Sequence, residues 1–343
     1  MKKKILLFVL VVAGLFAIAA CGSDTEAEND NEADNNGASN NNGDSNKDSY
    51  VIGTTQILEH PSLDQATEGF EDAIEEAGLD VEFDYQNAQN DQNNVKTIAD
   101  NFVADDVDLI FANSTPSALG ALNATDDIPI LFTSVTDAVE AELVDSMEEP
   151  GSNATGVVDL HPDAIKETVK FMDENFEDAN VGLIYSAGEK NSVTQIEAVQ
   201  DAMEGTSLSA EEKTVSNSSE VQQAADSLAG SVDLFYIITD NTVVSALDAV
   251  VGVSEEQQIP LVVGEPDSLE GGGFATYGID YYTIGYRTGE MAVEVLEEGK
   301  DPASMEVEYP EDMQLIINKE AADAQGVEWK DDWDEAAERF ETE

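Results

Sequence analysis

Polar side chains are concentrated in six short segments, each placed where a predicted strand ends. Their hydroxyl, amide and carboxylate groups can hydrogen-bond a small polar molecule, although each segment could also act only as a helix cap. Six such segments on the same edge of two parallel sheets favour a shared binding cleft over six unrelated caps. The segments are QILEHP at 56–61, NSTP at 113–116, TSVTD at 133–137, SAGEKNS at 186–192, TDNT at 239–242 and GID at 278–280.

The cationic side chains disfavour capture of an anionic ligand. The two arginines, Arg287 and Arg339, lie outside the strand-end segments. Bidentate binding of a carboxylate by guanidinium is therefore not expected. A ligand carboxylate would instead rest on hydroxyls and helix N-termini, for which Ser114-Thr115 and Asn191-Ser192 are suited.

An ammonium group would find partners in the same segments. Asp240, Asp280 and Glu189 each provide a carboxylate close to a predicted strand end. The side chains together fit a zwitterion, and they fit a phosphate or a polyanion poorly.

The sequence carries no motif for catalysis, for a cofactor or for a metal centre. The two histidines, His60 and His161, are too few for a His-rich divalent-metal cluster. No phosphate-binding glycine loop or nucleophile elbow is present. His60 directly follows a predicted strand, so ligand contact and a plain loop position both remain open. We predict a binding protein that is not an enzyme and needs no cofactor.

Two successive series of alternating strands and helices must position these groups. This alternation predicts an α/β protein with two doubly wound sheets, too large for one typical core. Predicted strands cover residues 50–55, 81–85, 109–112, 129–132 and 155–158, and then 181–185, 211–215, 234–238, 261–263, 275–279 and 314–317. Doubly wound sheets bind ligands at the carboxyl ends of their strands, so two facing sheets would enclose one cleft.

The N-terminus has the layout of an export signal. Lys2, Lys3 and Lys4 precede an apolar run at 5–20, which is followed by Cys21. The residues IAACGS at 18–23 resemble a bacterial lipoprotein cleavage box, in which the cysteine is acylated. An ordinary signal peptide with a chance cysteine is the alternative. Because Cys21 is the one cysteine of the chain, an internal disulfide is excluded.

The chain is strongly acidic. It has 74 acidic and 14 basic residues and a formal net charge of -60. Nucleic acids are excluded as partners, because their recognition depends on basic patches. The excess of acidic residues favours a halophilic surface, since concentrated salt screens self-repulsion.

Five segments resemble the substrate-binding lipoproteins of ABC importers, in the group that includes tryptophan- and tyrosine-binding members. The resemblance covers residues 50–327. It is carried by QILEHPSLD at 56–64, PILFTSVTD at 129–137, PGSNATGV at 150–157, DNTV at 240–243 and ATYGIDYY at 275–282.

This resemblance implies a type I periplasmic-binding fold, with two Rossmann-like lobes joined by a three-strand hinge that closes over a ligand. The implied divisions are a signal peptide at 1–20, a lipidated cysteine and disordered acidic, Asn-rich stalk at 21–49, and an acidic tail at 328–343. Residues 50–158 and 281–303 would form the N-terminal lobe, and residues 159–280 and 304–327 the C-terminal lobe. Trp329 and Trp333 would hold the tail to a lobe.

The resemblance also implies a function. A monomer, lipid-anchored on the outer face of the cell membrane, would deliver a small molecule to a permease and an ATPase. An aromatic amino acid is the expected ligand. The alternatives are a nucleoside, a sugar or another small polar ligand in the same fold, or a role as a ligand sensor. The expected ligand contacts are Gln56, His60, Asn113, Ser114, Thr115, Thr133, Ser134, Val135, Glu189, Asn191, Ser192, Asp240, Asn241 and Asp280.

Overall fold

The computed structural model describes residues 49–310 and 312–340. The expected signal peptide, the lipidation site Cys21 and nearly all of the stalk lie outside these residues. The described chain contains two α/β sheets, each flanked by helices.

The first sheet has five strands in the order β2-β1-β3-β4-β5, and every neighbouring pair is parallel. β3 and β4 are buried along their whole length, as expected for strands covered by helices on both faces. The strands are β1 (Tyr50–Gln56), β2 (Val81–Asn87), β3 (Leu109–Asn113), β4 (Ile130–Val135) and β5 (Ala154–Val158), and the helices between them are α1 (Pro61–Ala77), α2 (Gln92–Ala104) and α3 (Thr115–Ala124).

The second sheet has seven strands in the order β12-β11-β10-β9-β8-β6-β7. Its neighbouring pairs are parallel except β10 and β11. The strands are β6 (Asn180–Ser186), β7 (Ser209–Val215), β8 (Leu234–Ile237), β9 (Leu261–Val263), β10 (Ala275–Gly278), β11 (Gln314–Asn318) and β12 (Glu338–Phe340).

The remaining helical elements are given in chain order. Two short 3-10 turns occupy Ser218–Glu220 and Pro302–Ser304. The α-helices are α4 (Ala164–Asn175), α5 (Lys190–Met203), α6 (Val221–Leu228), α7 (Asn241–Val244), α8 (Leu247–Gln257), α9 (Asp267–Glu270), α10 (Tyr281–Glu298), α11 (Lys319–Ala324) and α12 (Trp333–Ala336).

The chain passes between the two sheets three times. It leaves the first sheet after β5, returns from β10 into α10, which packs on α1, and leaves again to reach β11. The first and third passages run side by side, because the Val158 amide donates to the Glu308 carbonyl at 2.9 Å and the Glu308 amide to the Gly156 carbonyl at 3.0 Å. We call the parts built on the first and second sheets the N-terminal and C-terminal lobes.

The acidic tail contributes to the C-terminal lobe. Trp333 is buried and packs against Phe171 and Phe274, with ring centroids 6.0 and 5.5 Å apart. β12 then pairs with β11. Aromatic burial on this scale contributes substantially to a core, so this part of the tail belongs to the fold.

Candidate functional site

The carboxyl ends of the strands in the two lobes face each other across a narrow interface. Side-chain hydrogen bonds span it. His60 Nε2 lies 3.3 Å from Asn241 Oδ1, Asn90 Nδ2 donates to Thr242 Oγ1 at 2.8 Å, and Gln195 Nε2 donates to Thr136 Oγ1 at 3.1 Å. The predicted facing of the strand-end loops is therefore present in the structure.

Two further contacts join the lobes beside these bonds. The Ser62 hydroxyl donates to the Glu265 carboxylate, and the Gln65 side-chain amide donates to Asp267 Oδ1. Ser62 and Gln65 belong to the first turns of α1. This helix follows the cleft loop directly, because Pro61 opens it with a backbone angle already suited to a helix.

A cavity of about 10 Å³ lies between the lobes. This volume holds about one water molecule, so a larger molecule would fit only if the two lobes were farther apart. Both lobes and two of the passages contribute to its wall. The lining residues are His60, Leu63, Ser134, Thr136, Asp159, Asn191, Thr239, Asp240, Asn241, Val244, Glu265 and Tyr281.

Four buried polar atoms on this wall have no hydrogen-bond partner within the described chain. They are His60 Nδ1, Ser134 Oγ, Asp159 Oδ1 and Asn191 Oδ1. A buried polar group without a partner costs about 1–3 kcal/mol. These four atoms can therefore hydrogen-bond a molecule placed in the cavity.

Ser134 reaches the cavity through an irregularity in the first sheet. The pairing of β4 with β5 shifts register between Phe132 and Val135. Ser134 there adopts a left-handed backbone angle, with φ 54°. Non-glycine residues pay about 1–3 kcal/mol for such a conformation, and such strain is concentrated at functional sites.

His60 presents a hydrogen-bond acceptor to the cavity. Burial lowers the pKa of His60 to about 4, despite the bond to Asn241, so the ring is neutral at physiological pH. The Asn241 amide nitrogen donates to Glu189, which leaves its oxygen facing His60. Nε2 must then carry the ring proton, and Nδ1 offers its lone pair.

Asp240 holds the C-terminal lobe together at the cleft. Its Oδ2 accepts the Ser186 amide at 2.6 Å, and its Oδ1 caps α7 by accepting the Val243 amide at 2.8 Å. Burial, together with the like charge of Glu189, raises the pKa of Asp240 to about 7. Both oxygens thus serve the local backbone, although Asp240 also lines the cavity.

Glu189 supports the residues that reach across to the other lobe. Its buried carboxylate accepts hydrogen bonds from Asn241 Nδ2 at 2.5 Å, Thr242 Oγ1 at 2.7 Å and the Thr242 amide at 3.2 Å. Asn241 and Thr242 in turn bind His60 and Asn90. Glu189 therefore positions the interlobe contacts.

A model of the family described as "ABC transporter substrate binding protein" matches residues 51–340. The chain belongs to this family. The expected family, its type I periplasmic-binding fold and its role as the substrate-binding protein of an ABC transporter are confirmed.

Three relatives of this substrate-binding protein show more specific similarities. A "Tyrosine-binding protein" of Clostridioides difficile is 40% identical over 332 residues, which are 94% of this chain and 92% of that protein. A Streptococcus pneumonia domain solved with L-Trp is 31% identical, with a TM-score of 0.80 over 85% of this chain and 99% of that one. A ligand-free, open substrate-binding protein of Clostridium difficile is 37% identical but has a TM-score of only 0.63, over 86% and 100%.

Several expected contacts of the substrate-binding protein lie deeper in their own lobes. Asn113 Nδ2 donates to the Leu63 carbonyl at 2.6 Å, and Thr133 Oγ1 donates to the Val157 carbonyl at 3.2 Å. Ser114 caps α3. These residues hold the strand-end loops in place and do not line the cavity. Four further expected contacts are also buried and do not line it, namely Gln56, Thr115, Val135 and Ser192.

Asp280 does not line the cavity. It is exposed and caps α10 by accepting the Thr283 amide at 3.0 Å. It borders an open groove on the passages between the lobes, which Tyr282 and Arg287 also line. The reason is that β10 ends at Gly278, and the chain has already turned toward the N-terminal lobe when it reaches Asp280.

The sequence reasoning missed Asp159, Glu265 and Tyr281. Glu265 follows β9 closely, so the rule that polar groups at strand ends line the cleft could have found it. Asp159 directly follows β5, and Tyr281 is the first residue of α10. Their pairing, with Tyr281 OH donating to Asp159 Oδ2 at 2.8 Å, has no local sequence signal.

Neither a metal centre nor a spanning segment is found within residues 49–310 and 312–340. No cluster of three or more His, Cys, Asp or Glu side chains in these ranges is arranged to hold a metal ion. None of the helices described there has the length and apolar character that crossing a bilayer requires.

We expect the protein to be more stable at pH 5 than at pH 8. Burial raises the pKa of Asp159 to about 6 and those of Asp240 and Glu265 to about 7, with Asp267 and Glu189 adding like charge. The folded chain then holds protons that the unfolded chain releases above pH about 4. This stabilisation is lost as the pH rises through 6 to 7.

His60 acts in the opposite direction, because its lowered pKa favours unfolding below pH about 6.5. His60 is one group, and it acts against Asp159, Asp240 and Glu265. The three carboxyl groups therefore set the sign of the change in stability with pH. Calorimetric melting at constant ionic strength measures it. Asp240→Asn should flatten the pH dependence, and a melting temperature that climbs from pH 5 to pH 8 would contradict this account.

Proposed function

We propose that this substrate-binding protein captures an aromatic amino acid between its lobes. The carrying observation is the set of unpartnered atoms on the cavity wall. Three of them, His60 Nδ1, Asp159 Oδ1 and Asn191 Oδ1, can only accept hydrogen bonds in the states described. An ammonium group has three N–H donors, and it matches these acceptors.

The rest of the wall suits the remainder of an amino acid. Ser134 Oγ is a hydroxyl that can donate to a ligand carboxylate, while Leu63, Val244 and Tyr281 offer apolar surface to a side chain. Among the residues that the structure describes, no lysine or arginine lines the cavity, which disfavours an anionic ligand. Relatives named for tyrosine and solved with L-Trp support an aromatic side chain.

Capture would proceed by hinge closure. This chain has a TM-score of 0.80 to the domain solved with L-Trp and of 0.63 to the open, ligand-free relative, although the latter is more identical in sequence. The lobe arrangement seen here thus resembles the L-Trp complex more closely. Opening would break the bonds between His60 and Asn241 and between Asn90 and Thr242, and a bound ligand would restore them.

The proposal includes the expected location and partners. Cys21 would carry the lipid that holds the protein at the outer face of the membrane, and a permease with its ATPase would receive the ligand. Mass spectrometry of the mature N-terminus tests the first point. A mature chain that begins elsewhere than at an acylated Cys21 would refute the anchor.

Titration calorimetry against a ligand panel tests the function. We expect L-tyrosine, L-tryptophan or L-phenylalanine to bind at least about 100-fold more tightly than a nucleoside or a sugar, which cannot place a cation among the carboxylates. A nucleoside or sugar as the tightest ligand would overturn the proposal. D-Tyrosine serves as a control for shape, because it has the same chemical groups as L-tyrosine in the mirror-image arrangement.

A further inference from the structure

Asp159 differs from the other acidic residues of the cavity in having one carboxylate oxygen without a hydrogen-bond partner in the described chain. It directly follows β5 in the first passage between the lobes and is 8% exposed. Tyr281 OH donates to its Oδ2 at 2.8 Å, whereas Oδ1 has no partner within the described chain. A carboxylate fixed through one oxygen in this way offers the other in a defined direction.

The two other carboxylates on the wall are already engaged. Asp240 accepts one backbone amide on each oxygen, from Ser186 and Val243. Glu265 accepts the hydroxyls of Ser62 and Ser268, one on each oxygen. A ligand cation at Asp240 or Glu265 would therefore compete with donors that already bind the carboxylate oxygens. At Asp159 it would supply the missing hydrogen bond to Oδ1.

Within residues 49–310 and 312–340, no lysine or arginine lines the cavity beside Asp159. The groups that face it across the cavity are His60, Asp240 and Glu265, and Tyr281 lies beside it. His60 is neutral, and Asp267 adds further negative charge next to Tyr281. Burial accordingly raises the pKa of Asp159 to about 6. At neutral pH the ionised carboxylate is buried without a counter-ion, which is the environment that a ligand ammonium would stabilise.

We propose that Asp159 is the charged acceptor of the ligand's ammonium group, with Tyr281 as the residue that positions it. This inference rests on the proposed capture of an amino acid. It assigns specificity for the α-amino group to the passage between the lobes, since Asp159 belongs to the first passage and Tyr281 to the second. The ammonium would thereby bridge the two chain segments about which the lobes close.

Desamino ligands provide the test. The panel pairs L-tyrosine with 3-(4-hydroxyphenyl)propanoate and L-tryptophan with indole-3-propanoate, so that each pair differs in the ammonium alone. We expect the wild type to prefer the amino acid about 100-fold, which is the scale for removing one partner of a buried ion pair. Asp159→Asn should reduce this preference to less than about tenfold.

Matched controls use the same chemical change in the same cavity. Asp240→Asn and Glu265→Gln should keep the wild-type preference, even where they lower overall affinity. An Asp159→Asn variant that keeps the full preference would overturn the inference and leave the proposed function standing. A wild type that binds neither member of a pair would instead refute the proposed function, and this inference with it.

A pH titration of the wild type is the second measurement and needs no variant. Affinity for the amino acid should fall about tenfold per pH unit below pH 6, as Asp159 takes up a proton, while affinity for the desamino partner should not fall. Tyr281→Phe should move this midpoint, because the phenol stabilises the ionised form. Equal pH profiles for the two ligands of a pair would contradict the assignment.

Discussion

Replacing Glu189 with alanine is expected to weaken amino-acid binding about 100-fold. Three donors, from Asn241 and Thr242, would lose their acceptor, and each buried loss costs about 1–3 kcal/mol. Removal of the like charge beside Asp240 offsets part of this cost. About 3 kcal/mol would remain in the closed state, which corresponds to about 100-fold in affinity.

This effect should appear as impaired closure. Without Glu189, Asn241 would be free to rotate, and the contacts to His60 and Asn90 would be lost. Titration calorimetry gives the affinity, and small-angle scattering with and without L-tyrosine reports closure. Glu197→Ala is the matched control, since Glu197 is exposed on α5, the helix that Glu189 directly precedes. Binding by Glu189→Ala within threefold of the wild type would show that the interlobe bonds do not matter.

Gly285→Ala is expected to destabilise the N-terminal lobe by about 3 kcal/mol or more. The helices α1 and α10 approach so closely that a Cβ on Gly285 would lie 1.9 Å from the Ala66 carbonyl oxygen. Gly69 makes the reciprocal approach, 2.1 Å from the Tyr282 carbonyl oxygen. Because the obstacle is backbone, the helices must separate, which places the cost at the upper end of overpacking effects.

The same substitution at Gly252 should have the opposite sign. Gly252 is exposed on α8, and a Cβ there would meet nothing within 4 Å. Alanine should therefore stabilise the protein by up to about 1 kcal/mol through helix propensity. Urea denaturation of both variants measures the difference. A Gly285→Ala protein as stable as the wild type would mean that the two helices are not in this close contact.

Every described strand except β12, which lies in the expected acidic tail, could be predicted because its signal is local. β3 and β4 both begin with an apolar run; the predicted range of β3 ends one residue early, and that of β4 starts one residue early and ends three residues early. The sequence predicts one helix over residues 243–255, whereas the structure has two, α7 and α8, with a break at Ser245-Ala246. Asp240 caps the first of them, so the cap residue was recognised but the break that follows was not.

The roles of individual acidic residues could not be predicted, because they depend on partners distant in sequence. Glu189 and Asp240 look alike as strand-end carboxylates, yet both are occupied by donors of their own lobe. Asp159 becomes distinctive only beside Tyr281, 122 residues later. Asp280 follows a strand as well, but the chain has already turned away from the cavity. Residue type and spacing identified the strand-end segments, and the fold decides which of their residues line the cavity between the lobes.

A crystal structure grown with L-tyrosine tests the central claim most directly. The account predicts density for the amino acid between the lobes, in contact with His60, Ser134 and Asn191, with its nitrogen within hydrogen-bonding distance of Asp159 Oδ1. Density in the open groove beside Asp280 and Tyr282, with the interlobe cavity unchanged, would contradict it.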